Sequence, residues 1–435
     1  MPTSHHYLNH LTVVSKKNKV LIAEDIYNEK GVLVVARGVE IDQSVAQKIA
    51  KHKLAKPVEH SIALSQTLSQ KNTYRMYTNR LESNGLLESS KQSGLLQDAA
   101  FVLPLLNLYP LVAEKVTVLA MRFPQVFGRA ITTGVLSASI AREMKLPNES
   151  IENVFLASML ANVGLLHINP ELAEKKGTYS QDELNMFQGH VAISTHFADM
   201  VPDLPKMVRR IILEHHERAD GFGYPFGKSF SALGLEGQIL AMADKAGAIF
   251  TKLVISGHHS LGIMFSVLSI RSSANPKDVH KAMLRVIKKG TLTYKPRFSF
   301  AQMAEVVTQC LEKRERLNLW YQEYSKTYEQ HFGGVVDSSS FKPWALLEQL
   351  QDTIEESGVL SVAQQEWLTE LSQNANEQDI REIEEFSLLL DDVEEQCFFV
   401  MQKLFESQDQ IEKIFNDTDL PDLYYQGLMM ILESD

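Results

Sequence analysis

Apolar positions change their period along the chain, and the changes divide it. Between residues 18 and 65 they form short β-rich runs, Lys19-Val-Leu-Ile-Ala-Glu-Asp-Ile26 and Val32-Leu-Val-Val-Ala36, joined by the turn-like Asn28-Glu-Lys-Gly31. Asp42 is placed to cap a helix reaching about Lys53, and Pro57–Leu64 reads as a returning strand. Residues 1–65 are therefore expected to form a small α/β domain, better suited to oligomerisation or sensing than to catalysis. Residues 66–98 are rich in Ser, Gln and Asn, with Asn84-Gly85 and Ser93-Gly94, and read as a linker with one short helix. From 99 to 330 the pattern is almost continuously helical, broken at Pro147, Pro202–Pro205, residues 220–225 and Asn275-Pro276.

Residues 331–435 form a helical C-terminal region. Ile383, Phe386, Leu390, Val393, Cys397, Val400 and Leu404 step by three and four, a seam of about three heptads. Glu384, Glu385, Asp391, Asp392, Glu394 and Glu395 flank the seam, which disfavours pairing with a second copy.

Charge sharpens this division. The net charge is -11, but residues 336–435 hold 24 acidic and 4 basic side chains, against 30 acidic and 39 basic elsewhere. The acidic helix then packs in a C-terminal bundle facing the basic side of the helical domain, with Lys288, Lys289 and Arg314 as candidate partners. The basic clusters Lys206–Arg210, Lys288–Arg297 and Lys313–Arg316 lack aromatic interleaving, so no nucleic-acid partner is expected. Cys310 and Cys397 are the only cysteines, which suits a reducing compartment. Met1–Lys19 lacks the apolar core of a signal peptide. The most apolar window, Ala99–Ala113, is interrupted by Pro104, Asn107 and Pro110 and falls short of the ~20 residues of a membrane span. A cytoplasmic protein without membrane insertion is expected.

The candidate chemistry lies in His215-His-Glu-Arg-Ala-Asp-Gly-Phe-Gly-Tyr-Pro225. Met207, Val208, Ile211, Ile212 and Leu213 predict a helix leading into it. If the helix continues, His215 and His216 point about 100° apart and suit two neighbouring metal ions better than one. Gly221 and Gly223 permit positive φ and Pro225 blocks further helix, so Asp220–Pro225 is expected to be a fixed loop.

This run resembles the second half of the HD-GYP signature, and the resemblance implies a mainly α fold. That fold is an HD-superfamily helical bundle, here with the small N-terminal α/β unit and the C-terminal helical region added. Active members hydrolyse cyclic di-GMP at a multinuclear metal centre built from an early His, a His-Asp pair, a lone His, the His-His pair and a late Asp. Carried over position by position, the lone His is His190, the pair is His215 and His216, and the late Asp is Asp244. The other positions are lost. Arg129 falls near the early His, Ala161 and Asn162 replace His-Asp, and Leu165 replaces a lysine.

Cations roughly 3.5–4 Å apart need an anionic bridge, which the neutral Asn162 amide does not supply. On this mapping the first metal position keeps only Asp244, a second keeps His190 and His215, and His216 addresses a third. Read alone, Asp244 is equally an N-cap or a partner of Lys245, and His190 a surface histidine. His167, five residues past the lost Asp, is a candidate substitute ligand, whereas His5, His6 and His10 read as exposed polar residues.

Three functions follow. The chain is a degenerate, non-catalytic HD-GYP protein that binds or scaffolds in bacterial cyclic di-GMP signalling, holding at most one divalent ion (Zn, Fe or Mn). On that reading Asp220, Gly221, Gly223, Tyr224 and Pro225 form a recognition loop for GGDEF-type or other signalling proteins, and a cyclic dinucleotide is a candidate ligand. Alternatively it is an active metal-dependent cyclic di-GMP phosphodiesterase with altered ligands, or a structural protein in which the motif is a relic.

Overall fold

Tyr7, His10, Leu11 and Val14 recur at helical spacing and bury one face of α1 (His5–Ser15). His10 is therefore not the exposed residue expected from its polarity. It shares the stripe with Tyr7 and Val14, its Nδ1 accepts a hydrogen bond from Arg122 Nε at 2.9 Å, and its ring meets Phe123 edge-on. A computed structural model describes residues 5–175, 179–218, 221–255, 264–265, 268–269, 276–290, 296–332 and 342–406.

The small strands follow the predicted order. β1 (Val20–Ile22) pairs antiparallel with β4 (Ile62–Leu64), and β2 (Ile26–Tyr27) with β3 (Leu33–Val35). Asn28 Oδ1 closes the turn between β2 and β3 by accepting from the amides of Lys30 and Val32. Asp42 caps α2 (Gln43–Ala50) by accepting from Val45 N, and the helix stops short of Lys53.

The expected linker at 66–98 is instead packed helix. α3 (Gln70–Ser83), α4 (Leu87–Gln92) and α5 (Leu95–Val102) fill it, with Tyr77, Leu81, Leu86 and Leu95 buried in the same core as the N-terminal strands. Gly85 and Gly94, read as linker signals, are helix corners with φ of +66° and +85°. Polar composition concealed a narrow apolar stripe of Thr73, Tyr77 and Leu81, spaced one helical turn apart. The expected boundaries at 65 and 98 thus fall inside one continuous core, which takes in residues from Tyr7 to Ile287 and also Leu388.

The body is built by α6 (Pro110–Arg122), α7 (Pro124–Glu143), α8 (Asn148–Ala161), α9 (Pro170–Ala173), α10 (Gln181–Gln188), α11 (His190–Met200), α12 (Lys206–Glu214), α13 (Leu235–Ile255) and α14 (Lys277–Lys288). Prolines at the first turns of α6, α7 and α9 cost no hydrogen bond there. α7 and α8 lie side by side, with Gly134 against the Phe155 ring, and α12 and α13 pack onto them. Among the described residues no single helix is long and apolar enough to cross a membrane. Leu95–Asn107 and Pro110–Arg122 reach that length only together, across a 111° corner.

A second core begins at Met303, before the expected boundary at 330. It joins α15 (Met303–Phe332), α16 (Lys342–Ser357), α17 (Val362–Asn374) and α18 (Ile380–Glu406). The seam residues Ile383, Phe386, Leu390, Val393, Cys397 and Val400 are buried in it, so α18 is covered by its own bundle; the Leu404 side chain lies outside the described residues. The expected charge partners differ. Lys289 and Arg285 hold Glu143 at 2.7 and 2.8 Å. Arg314 is buried, donating to the Val359 and Leu360 carbonyls at the turn between α16 and α17. Lys313 takes the expected role instead, bonding Asp391 of α18. Neighbouring arginine and lysine differ here only in which helix face they occupy, which composition does not reveal.

Candidate metal centre

The apolar face of α12, with Val208, Ile211 and Ile212 buried, drives the end of that helix into the body. The helix ends at Glu214 and His215 is its cap. His215 keeps helical φ and ψ, and the His215 and His216 rings lie tilted to each other with centroids only 3.9 Å apart. His190 opens α11, and its ring meets them at 5.9 and 5.4 Å. One nitrogen from each of the three lies within 4.8 Å of the others. Nitrogens sharing one ion at about 2.1 Å are at most ~4.2 Å apart, so three nitrogens gathered this closely could hold a metal ion.

The donor chemistry also fits. His190 Nδ1 lies 2.7 Å from the Phe187 carbonyl and His215 Nδ1 lies 2.6 Å from the Ile212 carbonyl. A carbonyl only accepts, so each Nδ1 carries the proton and each Nε2 presents a lone pair. Both Nε2 atoms are buried without a hydrogen-bond partner. Orphaned buried lone pairs facing one another, with Nδ1 fixed to backbone, are what an imidazole-bound cation needs. Burial holds His190 down to about 3 and lowers His215 and His216, the latter also through its two histidine neighbours. All three are therefore neutral at pH 7.

Asp244 stands in the middle of α13 and is not an N-cap. Its Oδ2 is 3.8 Å from His216 Nδ1, and its Oδ1 is 3.8 Å from Arg129 Nε on α7. Arg129 thus turns inward toward Asp244. Ala161, Asn162 and Leu165 are all buried. Ala161 ends α8 and Asn162 caps it, leading into a 3-10 turn, Val163–His167. Ser194 fastens that turn to α11, donating to the Ala161 carbonyl at 2.7 Å and accepting from Gly164 N at 2.9 Å. A Cβ on Gly164 would lie 2.1 Å from the His190 carbonyl oxygen. The backbone at the lost pair thus still sets the position of His190.

His167 is not a substitute ligand. It stacks on Tyr7 and its Nε2 lies 2.7 Å from Lys115 Nζ, which also bonds Glu59 Oε1 at 3.0 Å. The 3-10 turn aims it toward α1 and away from the histidine trio.

The loop after His216 is held from both ends. Tyr224 N donates to the His216 carbonyl at 3.1 Å. Glu217, buried, accepts from Phe226 N at 2.8 Å and Lys228 N at 2.7 Å. Gly221 has the expected positive φ of +72°. Gly223 does not, and its need is space: an added Cβ would lie 2.4 Å from Glu217 Cα. Tyr224 is half-buried with its ring 4.6 Å from His216, and burial pushes its phenol up. Pro225 is exposed, while Asp220 lies outside the described residues. Sequence reasoning missed the buried carboxylates of Glu214 and Glu217. Glu214 accepts from Gly234 N at 3.1 Å and Arg210 Nε at 2.9 Å, anchoring the start of α13. The available signal was an acidic residue on each side of the histidine pair, next to a glycine-rich stretch with amides to satisfy.

Residues 116–257 match the family model described as HD domain. "Cyclic di-GMP phosphodiesterase PdeB" of Borreliella burgdorferi is 25% identical over 158 residues, 36% of this chain and 41% of that protein. "3'3'-cGAMP-specific phosphodiesterase 1" of Vibrio cholerae is 28% identical over 147 residues, 33% of each chain. "Cyclic di-GMP phosphodiesterase response regulator RpfG" of Xanthomonas campestris pv. campestris is 31% identical over 113 residues, 26% of this chain and 30% of that one. The chain spans less than half the length of each of these relatives. The matching HD domain over residues 116–257, the converging histidines and the intact His-His-Glu and Gly-Tyr-Pro elements support HD-GYP family membership for this segment.

Proposed function

We propose that this chain is a degenerate HD-GYP protein that binds or scaffolds in cyclic di-GMP-type signalling, in the bacterial cytoplasm, without turning a cyclic dinucleotide over. The observation that carries this reading is the pairing of Arg129 with Asp244 beside the trio. A two-metal hydrolase clamps its phosphoryl group between two cations bridged by carboxylate. Here a guanidinium balances the Asp244 charge, and Ala161 and Asn162 offer no anionic bridge. A guanidinium cannot coordinate and acidify a water.

His190, His215 and His216 would hold one divalent cation, zinc or a late transition metal by donor type, with iron and manganese as the remaining candidates. Such an ion supplies Lewis acidity and a coordination site for a phosphate oxygen. Around it the chain orients His190 and His215 through their Nδ1 bonds and excludes water by burial. The relatives' names point to cyclic di-GMP and 3'3'-cGAMP as the ligands to try. The exposed edge of the loop, Pro225 and Phe226, is the surface offered to a GGDEF-type or other signalling protein.

The test is a hydrolysis assay beside a binding measurement, using both nucleotides with added zinc, manganese or iron. Binding of nucleotide or of a signalling protein without product formation supports the reading. Turnover abolished by His215→Ala supports the alternative, a phosphodiesterase working with altered ligands.

A further inference from the structure

The Gly-Tyr-Pro loop has a root and a tip, and they touch different parts of the molecule. At the root, the His216 and Tyr224 rings lie tilted with centroids 4.6 Å apart, and Tyr224 N donates to the His216 carbonyl at 3.1 Å. At the tip, Phe222 packs against the core of the C-terminal bundle, and the Arg218 guanidinium stands 4.3 Å over the Phe399 ring of α18. One further contact joins α18 to the body: Leu388 is buried in the body's own core. Between root and tip the loop has little freedom, because Glu217 takes two loop amides and Gly223 touches the Glu217 backbone.

We propose that docking of the acidic C-terminal bundle and occupancy of the three-histidine site stabilise each other through this loop. The inference rests on the reading that the trio takes a divalent ion. With α18 docked, Arg218 and Phe222 are fixed and His216 is held beside His215. With α18 displaced, the loop gains conformations in which His216 faces away from the other ligands. The apparent affinity then falls by the fraction of molecules that keep all three in place. Linkage makes the effect reciprocal, so an ion that prefers the docked form strengthens docking by the same factor. The C-terminal region is thus a control element for the site, and displacing its acidic face loosens the ion.

The test uses the full chain with zinc as probe. Phe399→Ala and Leu388→Ser each remove one docking contact while leaving every histidine in place. Zinc affinity is measured by calorimetry, and hydrogen exchange is followed across residues 380–400 with and without zinc. We expect both variants to bind zinc about tenfold more weakly, within the usual range for coupled sites. We also expect zinc to slow exchange in α18 of the unmodified chain, and His215→Ala to abolish that slowing. Variants with faster exchange in α18 but unchanged zinc affinity overturn the coupling, and so do variants that alter neither quantity. If a variant unfolds, the zinc effect on exchange in the unmodified chain decides. An unmodified chain that binds no zinc overturns the metal reading and the coupling together. One that binds zinc with no change in α18 overturns the coupling alone.

Discussion

Arg129 Nε lies 3.8 Å from Asp244 Oδ1, so a guanidinium stands against the carboxylate that borders the histidine trio. On the proposed reading this positive charge takes the place of a second cation. Removing Arg129 alone restores no ligand. We expect Arg129→Ala to leave zinc stoichiometry at one per chain. The combined change Arg129→His, Ala161→His, Asn162→Asp should raise it toward two. Metal quantification on the purified variants checks both.

Gly164 carries the contact between the turn after α8 and the start of α11. A methyl group there meets the His190 carbonyl oxygen at 2.1 Å, a backbone atom that cannot swing aside. We expect Gly164→Ala to cost ~3 kcal/mol, the upper part of the range for overpacking. It should also weaken zinc binding although no ligand changes. Urea unfolding and calorimetry on the same variant measure the two effects.

Much of the site was legible because its signal is contiguous. The histidine pair, the two glycines and Pro225 fall within eleven residues, and their resemblance fixed His190 and Asp244 by spacing. Where sequence reasoning failed, the cause was long-range packing. Nothing local to His10 shows that Arg122 and Phe123 receive it, and nothing local to Arg218 shows Phe399. Residues 66–98 were misread because three short helices need only a few apolar positions each when a large core already exists to receive them.

Glu114 provides a pH signature away from the metal centre. Burial pushes its carboxyl up to about 7, against a hydrogen bond from the Leu64 backbone. A folded-state value above the unfolded one means that the folded form binds the proton more tightly. Its stabilising contribution is therefore complete below about 4.5 and is lost as pH rises through about 7. We expect Glu114→Gln to match the unmodified chain at pH 4 and to exceed it at pH 8. The gain should be at most ~1–2 kcal/mol, because the residue is only partly buried. Thermal unfolding at the two pH values gives the comparison.

The buried triad at α1 offers a stability test of a different kind. Lys115 Nζ bonds Glu59 and His167 and lies 3.4 Å from the Tyr7 ring centroid. Removing one partner leaves a charge buried without its counterpart, at about 3–5 kcal/mol. We expect Glu59→Gln to destabilise the whole body, since α1 and the strands share its core. A single cooperative transition at lower denaturant would show this. A separate early transition confined to the N-terminal segment would contradict it.

On the proposed function, His190, His215 and His216 form a one-ion centre in a protein that does not hydrolyse cyclic dinucleotides. The most direct measurement is anomalous scattering from crystals of protein purified without chelator, paired with a hydrolysis assay on the same preparation. The account predicts one anomalous peak among the three imidazoles, none beside Asp244 and Arg129, and no turnover of cyclic di-GMP. Two peaks bridged near Asn162, with turnover that depends on His215, would contradict it.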